Sequence, residues 1–337
     1  MAETFLGLSA ADRADALGVA ATATGRPVHV LEKDVWVVWM LDALFAGPGA
    51  DHLVFKGGTS LSKAFGVIDR FSEDIDITHD VRAIVSAAAK AAETSSDAEP
   101  HPPSSSQARK WRKDAEAALS VWAPGEVRPW LTRRLAEDGI EGRIEAKGTN
   151  LRLRTVPTSS GWGYMKPDVL VEFGGRSTGL PAEVMPIVCD AAAALPTLTF
   201  PTASPRVMAV ERTFWEKATA VHAFNVREGL PGDRLSRHWF DLARLLETGH
   251  AERALADRDL AAQVGRHKTD FFAEDGVDYL DAVAGALRLV PSAGFLPEVA
   301  TDYARMREAG YLAETAMTFE VLMERIAELE AAANLRD

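Results

Sequence analysis

The stretch that decides the fold is "FKGGTSLSKAFGVIDRFSEDIDITHD", residues 55–80. It begins with a double glycine, Gly57-Gly58, and ends with carboxylates that alternate with isoleucines. Paired glycines interrupt a regular element and allow a tight turn. Strict alternation of polar and apolar residues indicates a half-buried strand. The stretch therefore predicts a strand, a glycine turn, a short helix and a second strand.

The second strand carries two carboxylates on one face. Residues i and i+2 of a strand point to the same side, so Asp74 and Asp76 project together, opposite Ile75 and Ile77. Bare neighbouring carboxylates repel each other, and divalent cations remove that repulsion. Two Mg²⁺ ions about 4 Å apart can hold the attacking and leaving oxygens of a phosphoryl displacement. An acid-decorated edge strand is the alternative, but the order strand, glycines, helix and Asp-x-Asp favours a metal site.

The glycine turn predicts a place for phosphate groups. Glycines let the backbone approach phosphate oxygens, and the first amides of a helix point their dipole toward anions. Lysines before and within the helix would add point charges. The residues predicted to bind a nucleotide here are Lys56, Gly57, Gly58, Thr59, Ser60 and Lys63.

Periodicity places other elements around this stretch. Residues 8–24, with Ser9 as the N-cap, and residues 28–45 are predicted helices, and residues 52–56, 59–66 and 74–78 are the strand, helix and strand of the motif. Residues 93–107 are rich in Ser and Pro and predict a loop. Two basic helices follow, then three β-rich segments, "GRIEAKG", "NLRLRTV" and "DVLVEFG", and from residue 204 the pattern is almost wholly helical.

Composition excludes several classes of protein. The chain has 337 residues, 47% hydrophobic and 26% charged, which suits a folded protein of two domains or one extended domain. One cysteine, Cys189, excludes an internal disulfide and a cysteine metal cluster. No signal peptide and no apolar run of about 20 residues is present, which predicts a cytoplasmic protein with no membrane span.

Charge is distributed unevenly along the chain. The net charge of −12 argues against a general nucleic-acid coat. Residues 109–154, however, hold eleven Lys and Arg against seven Asp and Glu, so a local basic surface is possible. Trp111 and Trp130 lie within these basic stretches, where they could stack on bases or pack into amphipathic helices.

The glycine turn and the Asp-x-Asp strand together resemble the polymerase-β-type nucleotidyltransferase fold. The fuller strings "KGGTSLSK" and "RFSEDIDI" resemble one branch, the AbiEii/AbiGii toxin nucleotidyltransferases, which includes the MenT-type toxins. "LEKDVWVVWML", "ERTFWEKATAVH" and "SRHWFDLARL" are similar to further motifs of that branch. The resemblance covers residues 30–250 and implies an α/β (α+β) fold. A mixed sheet with N-terminal helices would occupy residues 1–200, and a helical C-terminal domain residues 201–337.

The resemblance also implies further site residues. A third carboxylate should lie on a neighbouring strand, and "DVLVEFG" offers Asp168 and Glu172. We favour Glu172 because it lies in mid-strand, which makes Asp74, Asp76 and Glu172 the predicted metal ligands. Lys217 and Asp241 are implied as catalytic residues beside Asp74 and Asp76.

Simpler interpretations of the downstream residues stay open. Lys217 is also a candidate nucleotide ligand, together with Arg237, but it could be a snorkelling surface lysine. Arg237 and Asp241 could form an i,i+4 surface pair. We expect His238 to be structural.

The function implied by the resemblance is that of a toxin in a toxin–antitoxin pair. Such an enzyme would use two Mg²⁺ ions to transfer a nucleoside monophosphate from an NTP to RNA, at the 3′ end of tRNA, and a cognate antitoxin would be its partner. Transfer to a protein or a small molecule is an alternative. A non-catalytic regulator that binds nucleotide or RNA is another.

Overall fold

The computed structural model describes residues 3–70, 72, 74–93, 99–160, 166–312 and 316–335. The chain forms two compact units. The first contains Met1–Ala64, Glu73–Val85 and Lys113–Val207, and the second contains Phe65–Ser72, Ser86–Arg112 and Met208–Asp337. Two segments that the sequence placed in the first domain, residues 65–72 and 86–112, thus lie in the second unit.

The strands of the described residues are short and lie between residues 3 and 208. In chain order they are β1 Glu3–Thr4, β2 Leu53–Lys56, β3 Asp74–His79, β4 Gly142–Lys147, β5 Asn150–Thr155, β6 Val169–Gly174, β7 Ala182–Val184, β8 Ile187–Val188, β9 Leu198–Thr199, β10 Thr202–Ala203 and β11 Arg206–Met208.

The helices flank these strands in the chain and fill its last third. In chain order they are α1 Ala10–Thr24, α2 Val28–Phe45, α3 Gly57–Lys63, α4 Val81–Ile84, α5 Ser86–Glu93, α6 Ser105–Trp122, α7 Arg128–Glu137, α8 Val210–Arg227, α9 Arg237–Glu247, α10 His250–Ala256, α11 Arg258–Phe271, α12 Tyr279–Asp281, α13 Leu296–Glu308 and α14 Phe319–Asn334. No helix of the described ranges has the length and apolar character needed to cross a membrane.

A seven-stranded mixed sheet in the order β4-β5-β6-β3-β2-β11-β7 positions the candidate site. The acid strand β3 is antiparallel to β2 and parallel to β6, and β6 and β5 are antiparallel. One face of the central strands is apolar and buried, and it includes Ile75, Ile77, Leu151, Leu153 and Val171. The other face, called the open face below, carries half-buried or exposed side chains at Asp74, Asp76, Asn150, Arg152, Leu170 and Glu172.

Helix α2 buries three charged residues in succession: Glu32, Lys33 and Asp34. Each has hydrogen-bonding partners elsewhere in the first unit, because a buried charge without a partner is costly. Glu32 accepts hydrogen bonds from the backbone and hydroxyl groups of Thr158 and Ser159, and the Lys33 ammonium donates to the Lys166 carbonyl at 2.7 Å. Helix α2 thereby holds both described ends of the connection between β5 and β6.

The second unit has a core of large aromatic side chains on its helices. The Trp215 indole of α8 donates to the Ala254 carbonyl at 3.0 Å, and the Trp239 indole of α9 donates to the Leu289 carbonyl at 2.8 Å. Buried indoles need such acceptors, since an unsatisfied N–H would destabilise the core. These two tryptophans are therefore core residues.

Most of the predicted elements are confirmed. The helix over residues 28–45, the N-cap Ser9 and the alternating strand from Asp74 are all present. The predicted helix of residues 59–66 is displaced: it spans Gly57–Lys63. The predicted loop of residues 93–107 is wrong at its end, where α6 begins at Ser105, and residues 94–98 lie outside the described residues.

His222 of α8 makes the stability of the protein dependent on pH. Its Nδ1 accepts a hydrogen bond from the Arg288 backbone amide at 3.1 Å. Burial, with the charge of Arg288, lowers the pKa of His222 to about 4. Between pH 4 and 6.5 the unfolded chain therefore binds more protons at this residue than the folded chain, so stability falls as the pH drops through that window.

We expect His222→Asn, which retains an acceptor near Nδ1, to weaken this pH dependence. The loss of unfolding free energy between pH 6.5 and 4 should be smaller than in the wild type by about 2 kcal/mol, allowing for partial screening by solvent. Urea unfolding at a series of pH values measures the difference. Equal slopes for the two proteins would contradict this assignment.

Candidate active site

A single rung of the sheet collects polar residues of four strands on the open face. Cα register pairs Asp76 with Lys56 of β2 on one side and with Glu172 of β6 on the other, and Glu172 pairs with Asn150 of β5. Neighbouring strands are about 4.8 Å apart, so the side chains of one rung are within reach of each other. Asp74 lies on the same face, two residues from Asp76.

The backbone of Gly57 lies close to the Asp76 carboxylate. A Cβ built on Gly57 would lie 2.1 Å from Asp76 Oδ2 and 2.9 Å from its Cγ. Gly57 also has a φ of 81°, in the region that side chains rarely adopt. Only glycine tolerates both the positive φ and the close approach of the Asp76 carboxylate. The position of Asp76 therefore requires a glycine at residue 57.

Hydroxyl groups within α3 bind backbone carbonyls. The Thr59 hydroxyl donates to the Asp74 carbonyl at 2.5 Å, which ties α3 to the start of β3. The Ser60 hydroxyl donates to the Gly57 carbonyl at 2.9 Å. The sequence predicted that Gly57, Gly58, Thr59 and Ser60 bind phosphate through their backbone, and the engaged hydroxyls are compatible with that prediction.

Lys63 is engaged in a buried ion cluster. Its ammonium lies 2.5 Å from Asp34 of α2 and 2.6 Å from Asp190, and its side chain is only 9% exposed. Burial alone would lower the pKa of Lys63, but the two carboxylates outweigh burial and raise it. Lys63 is thus a charged anchor for α3, which favours a positioning role over the predicted contact with nucleotide.

The two candidates for the third carboxylate have different surroundings. Glu172 is paired in register with Asp76, and Asn150 Nδ2 donates to its Oε1 at 3.3 Å. Asp168 lies just before β6, where Arg152 holds it in an ion pair at 2.7 Å. The geometry therefore favours Glu172, the residue expected from its mid-strand position.

The carboxylates of the rung fit a cation that shares its coordination with substrate. Within the described ranges, no group of three or more His, Cys, Asp or Glu side chains is arranged to hold a metal ion by itself. Mg²⁺ commonly takes one or two protein carboxylates and completes its shell with phosphate oxygens and water. Asp74, Asp76 and Glu172, hard oxygen donors on one open face, suit that kind of binding better than a closed protein cage.

The second unit contains a cluster of charges around Asp241. The Asp241 carboxylate is fully buried and receives two hydrogen bonds from Arg70, at 2.6 and 2.8 Å. Lys217 lies 2.8 Å from the same carboxylate. Burial would raise the pKa of Asp241, but the charges of Arg70 and Lys217 hold it far below its usual value. Asp241 is therefore ionised and already has two cationic partners.

These contacts correct two simple interpretations of the downstream helices. Lys217 is buried, so it is not a snorkelling surface lysine, and burial lowers its pKa despite Asp241. Asp241 is not part of an exposed i,i+4 pair with Arg237, which is half-buried at the first position of α9. Burial, with the charges of Lys217 and Arg237, lowers the pKa of His238 and keeps it neutral.

Arg70 is the residue of this cluster that the sequence did not predict. It belongs to the motif string "RFSEDIDI", but its partner Asp241 is 171 positions away in the chain. An unexplained arginine just before the acids was the only available signal. The residues Lys56, Gly57, Asp74, Asp76 and Glu172 are thus grouped in the first unit, and Arg70, Lys217 and Asp241 in the second.

The two tryptophans of the basic stretches both make packing contacts within the protein. Trp111 is buried, 6.4 Å from the ring of Phe271. The Trp130 indole donates to the Ala43 carbonyl at 2.7 Å, and Arg133 lies over its ring. These contacts favour the interpretation that both tryptophans pack into amphipathic helices.

An acid rung beside a glycine turn, on a mixed sheet, is the arrangement that the sequence predicted from its resemblance to nucleotidyltransferases. Comparison with known families agrees: the model of the AbiEii nucleotidyl transferase toxins, of type IV toxin–antitoxin systems, matches residues 39–325. The chain belongs to this family. It is therefore a nucleotidyltransferase of the toxin class with an NTP as substrate. Membership of a toxin–antitoxin family also implies an antitoxin partner.

A solved structure with the same fold is MenT4, a nucleotidyltransferase toxin from Mycobacterium tuberculosis H37Rv. The two share 19% identity and a TM-score of 0.52, and the alignment covers 98% of this chain and 91% of that chain. The likeness confirms the predicted α/β fold with a mixed sheet, shared with a nucleotidyltransferase toxin. No curated protein sequence matches the chain.

We expect Gly57→Ala to lower kcat by at least about 100-fold, because the added methyl group would displace the Asp76 carboxylate by more than 1 Å. Gly148→Ala is the matched control: Gly148 also has a positive φ, 59°, but nothing lies within 4 Å of a Cβ there. Gly148→Ala should lose about 1 kcal/mol of unfolding free energy for its positive φ, and Gly57→Ala should lose at least as much. Similar activity in the two variants would contradict the close approach.

We expect Arg70 and Asp241 to be strongly coupled in stability. Arg70→Met should cost about 3 kcal/mol, because it leaves the buried Asp241 carboxylate with Lys217 alone. Arg70→Met/Asp241→Asn should cost less than the sum of the single changes, by at least about 1 kcal/mol. Urea unfolding of the four proteins measures this coupling, and strictly additive costs would refute it.

Proposed function

We propose that this toxin transfers a nucleoside monophosphate from an NTP to the 3′ end of tRNA, in a Mg²⁺-dependent reaction that releases pyrophosphate. The observation that carries the proposal is the rung of Lys56, Asp76 and Glu172, with Asp74 on the same open face. Carboxylates grouped on one face bind divalent cations, and the lysine beside them suits a polyphosphate.

The residues of the first unit have distinct roles in the proposed reaction. Asp74, Asp76 and Glu172 would hold two Mg²⁺ ions, which would offset the charge of the triphosphate and stabilise the attacking and leaving oxygens. Lys56 and the amides of residues 57–60 bind and orient phosphate oxygens, with Gly57 leaving room for the Asp76 carboxylate. Alignment of the acceptor hydroxyl with the α-phosphorus supplies much of the rate enhancement.

Lys217, Arg237 and Asp241 are proposed to serve the same reaction. The support is their position in motifs similar to those of the family, together with a buried Lys217–Asp241 ion pair. Buried, charged groups with perturbed pKa values are typical of functional sites. In this proposal Lys217 and Arg237 bind nucleotide, and Asp241 holds Lys217 in place.

A modified 3′ end would prevent aminoacylation and stop growth, which accounts for toxicity. The partner that relieves this effect would be a cognate antitoxin. Because both the NTP and tRNA are cytoplasmic molecules, we propose that the protein acts in the cytoplasm.

The test is transfer of α-labelled nucleotide to purified tRNA. Each of the four NTPs is supplied in turn with Mg²⁺, and transfer should be lost with EDTA. We expect Glu172→Gln and Asp76→Asn to reduce labelling by at least about 100-fold, since each removes a metal ligand. Asp168→Asn, which removes the carboxylate just before β6 instead of the one in mid-strand, should change labelling at saturating tRNA less than about fivefold.

Each alternative has its own result. Label on a protein or a small molecule, with none on tRNA, would replace the proposed acceptor. Loss of activity in Asp168→Asn but not in Glu172→Gln would assign the third carboxylate ligand to Asp168 in place of Glu172. Growth arrest that persists in the Asp76→Asn protein would separate toxicity from nucleotidyl transfer.

A further inference from the structure

The open face of the sheet continues beyond the acids into a row of arginines. On β5 and β4, Arg152 pairs in register with Glu145, and Arg154 pairs with Arg143. Because Arg152 also pairs with Leu170, and Leu170 with Asp74, these side chains lie on the same face as the carboxylate rung. All of these residues belong to the first unit.

The arginines line a cavity of about 830 Å³. Its wall also includes Lys166 and Pro167, in the connection that leads into β6. Arg143, Arg154 and Lys166 are exposed, whereas Arg152 is half-buried. The cavity therefore presents four cationic side chains to a ligand from solution.

Acidic residues hold the guanidinium groups in place, and some N–H donors of each guanidinium stay available. Glu145 lies 2.9 Å from Arg143 and 2.9 Å from Arg154, and Asp168 lies 2.7 Å from Arg152. Two arginines paired across strands would repel each other, and the shared Glu145 offsets that repulsion. A guanidinium has five N–H donors, so donors remain for phosphate oxygens.

Strand geometry gives the distance from the acids. Arg152 is two strands from Asp74, or about 10 Å, and Arg143 is three strands away and two residues along, or about 16 Å. A triphosphate bound at the rung is shorter than this span. A few nucleotides of a single strand, with one phosphate each, would cover it.

We propose that the cavity formed by Arg143, Arg152, Arg154 and Lys166 binds backbone phosphates of the nucleic-acid acceptor, a few nucleotides before its 3′-terminal hydroxyl. This inference rests on the proposed function and adds a binding site to it. Arginine forks suit phosphate oxygens, and contacts with the backbone set the position of a strand without reading its bases. The cavity would fix how far the 3′ end reaches along the open face.

The chain offers a matched control on the other side of the β4–β5 hairpin. Arg128 and Arg133 of α7 are exposed and line a separate depression beside Ile144. Ile144 points to the opposite face from Arg143, because neighbouring strand residues alternate. Arg128→Gln/Arg133→Gln therefore makes the same charge change as Arg143→Gln/Arg154→Gln without touching the cavity.

The experiment compares these double variants with the wild type in two measurements. Fluorescence anisotropy follows binding of a labelled single-stranded RNA of about twelve nucleotides, without NTP, over a range of salt concentrations. Transfer assays give the KM for tRNA and for the NTP. Arg143→Gln/Arg154→Gln should weaken RNA binding and raise the KM for tRNA by about tenfold, with an unchanged KM for the NTP. The slope of log binding constant against log salt concentration should fall in magnitude by about 1.4, the value for two lost single-strand phosphate contacts.

The outcomes separate this inference from the proposed function. Equal effects of the two double variants would indicate general electrostatic attraction and would refute the proposed phosphate site. A raised KM for the NTP in the cavity variant would also refute it. Normal transfer by Arg143→Gln/Arg154→Gln would overturn the site while leaving the proposed reaction intact. If the wild type labels no RNA, the proposed reaction fails. Selective loss of RNA binding in the cavity variant would then still support the site, because that measurement uses no NTP.

Discussion

The pleat of β3 is the constraint on which the first unit depends. Its buried residues, Ile75 and Ile77, fill the core, and the alternation of a strand then forces Asp74 and Asp76 to the open face. A shift of one residue would bury both carboxylates and expose both isoleucines, so the core itself fixes the register. The parallel pairing with β6 extends the effect, because it sets Glu172 beside Asp76. Site and core are therefore specified by the same contacts.

Buried charges on helix α2 fix the positions of other elements around the sheet. A buried ion pair contributes little net stability, since desolvation offsets much of the attraction, but a missing partner is severely destabilising. Asp34 binds Lys63 of α3, and its second oxygen accepts the Asp190 amide at 2.6 Å. Alternative packings of α3 would leave one of these charges without its partner. We infer that the cluster contributes conformational specificity more than stability.

Local pattern accounts for what the sequence could predict. The alternation of β3, the apolar density of α2 and the N-cap Ser9 are all encoded within a few residues, and these predictions are confirmed. Contacts between distant residues could not be found this way. Lys63 pairs with Asp190, 127 positions away, and Arg70 pairs with Asp241, 171 positions away. The sequence therefore predicted the residue types of a candidate site, but it could not show which charges neutralise each other.

The four hydrogen bonds to Glu32 link two segments that are far apart in the chain. Thr158 and Ser159 each supply an amide and a hydroxyl, so the carboxylate is satisfied only while both residues remain in place. Opening of this connection would leave the buried Glu32 carboxylate without its donors, which is costly. The amides of Thr158 and Ser159 should therefore exchange with solvent deuterium as slowly as those of a packed helix. A segment between two strands would thus belong to the same cooperative unit as the helix that holds it.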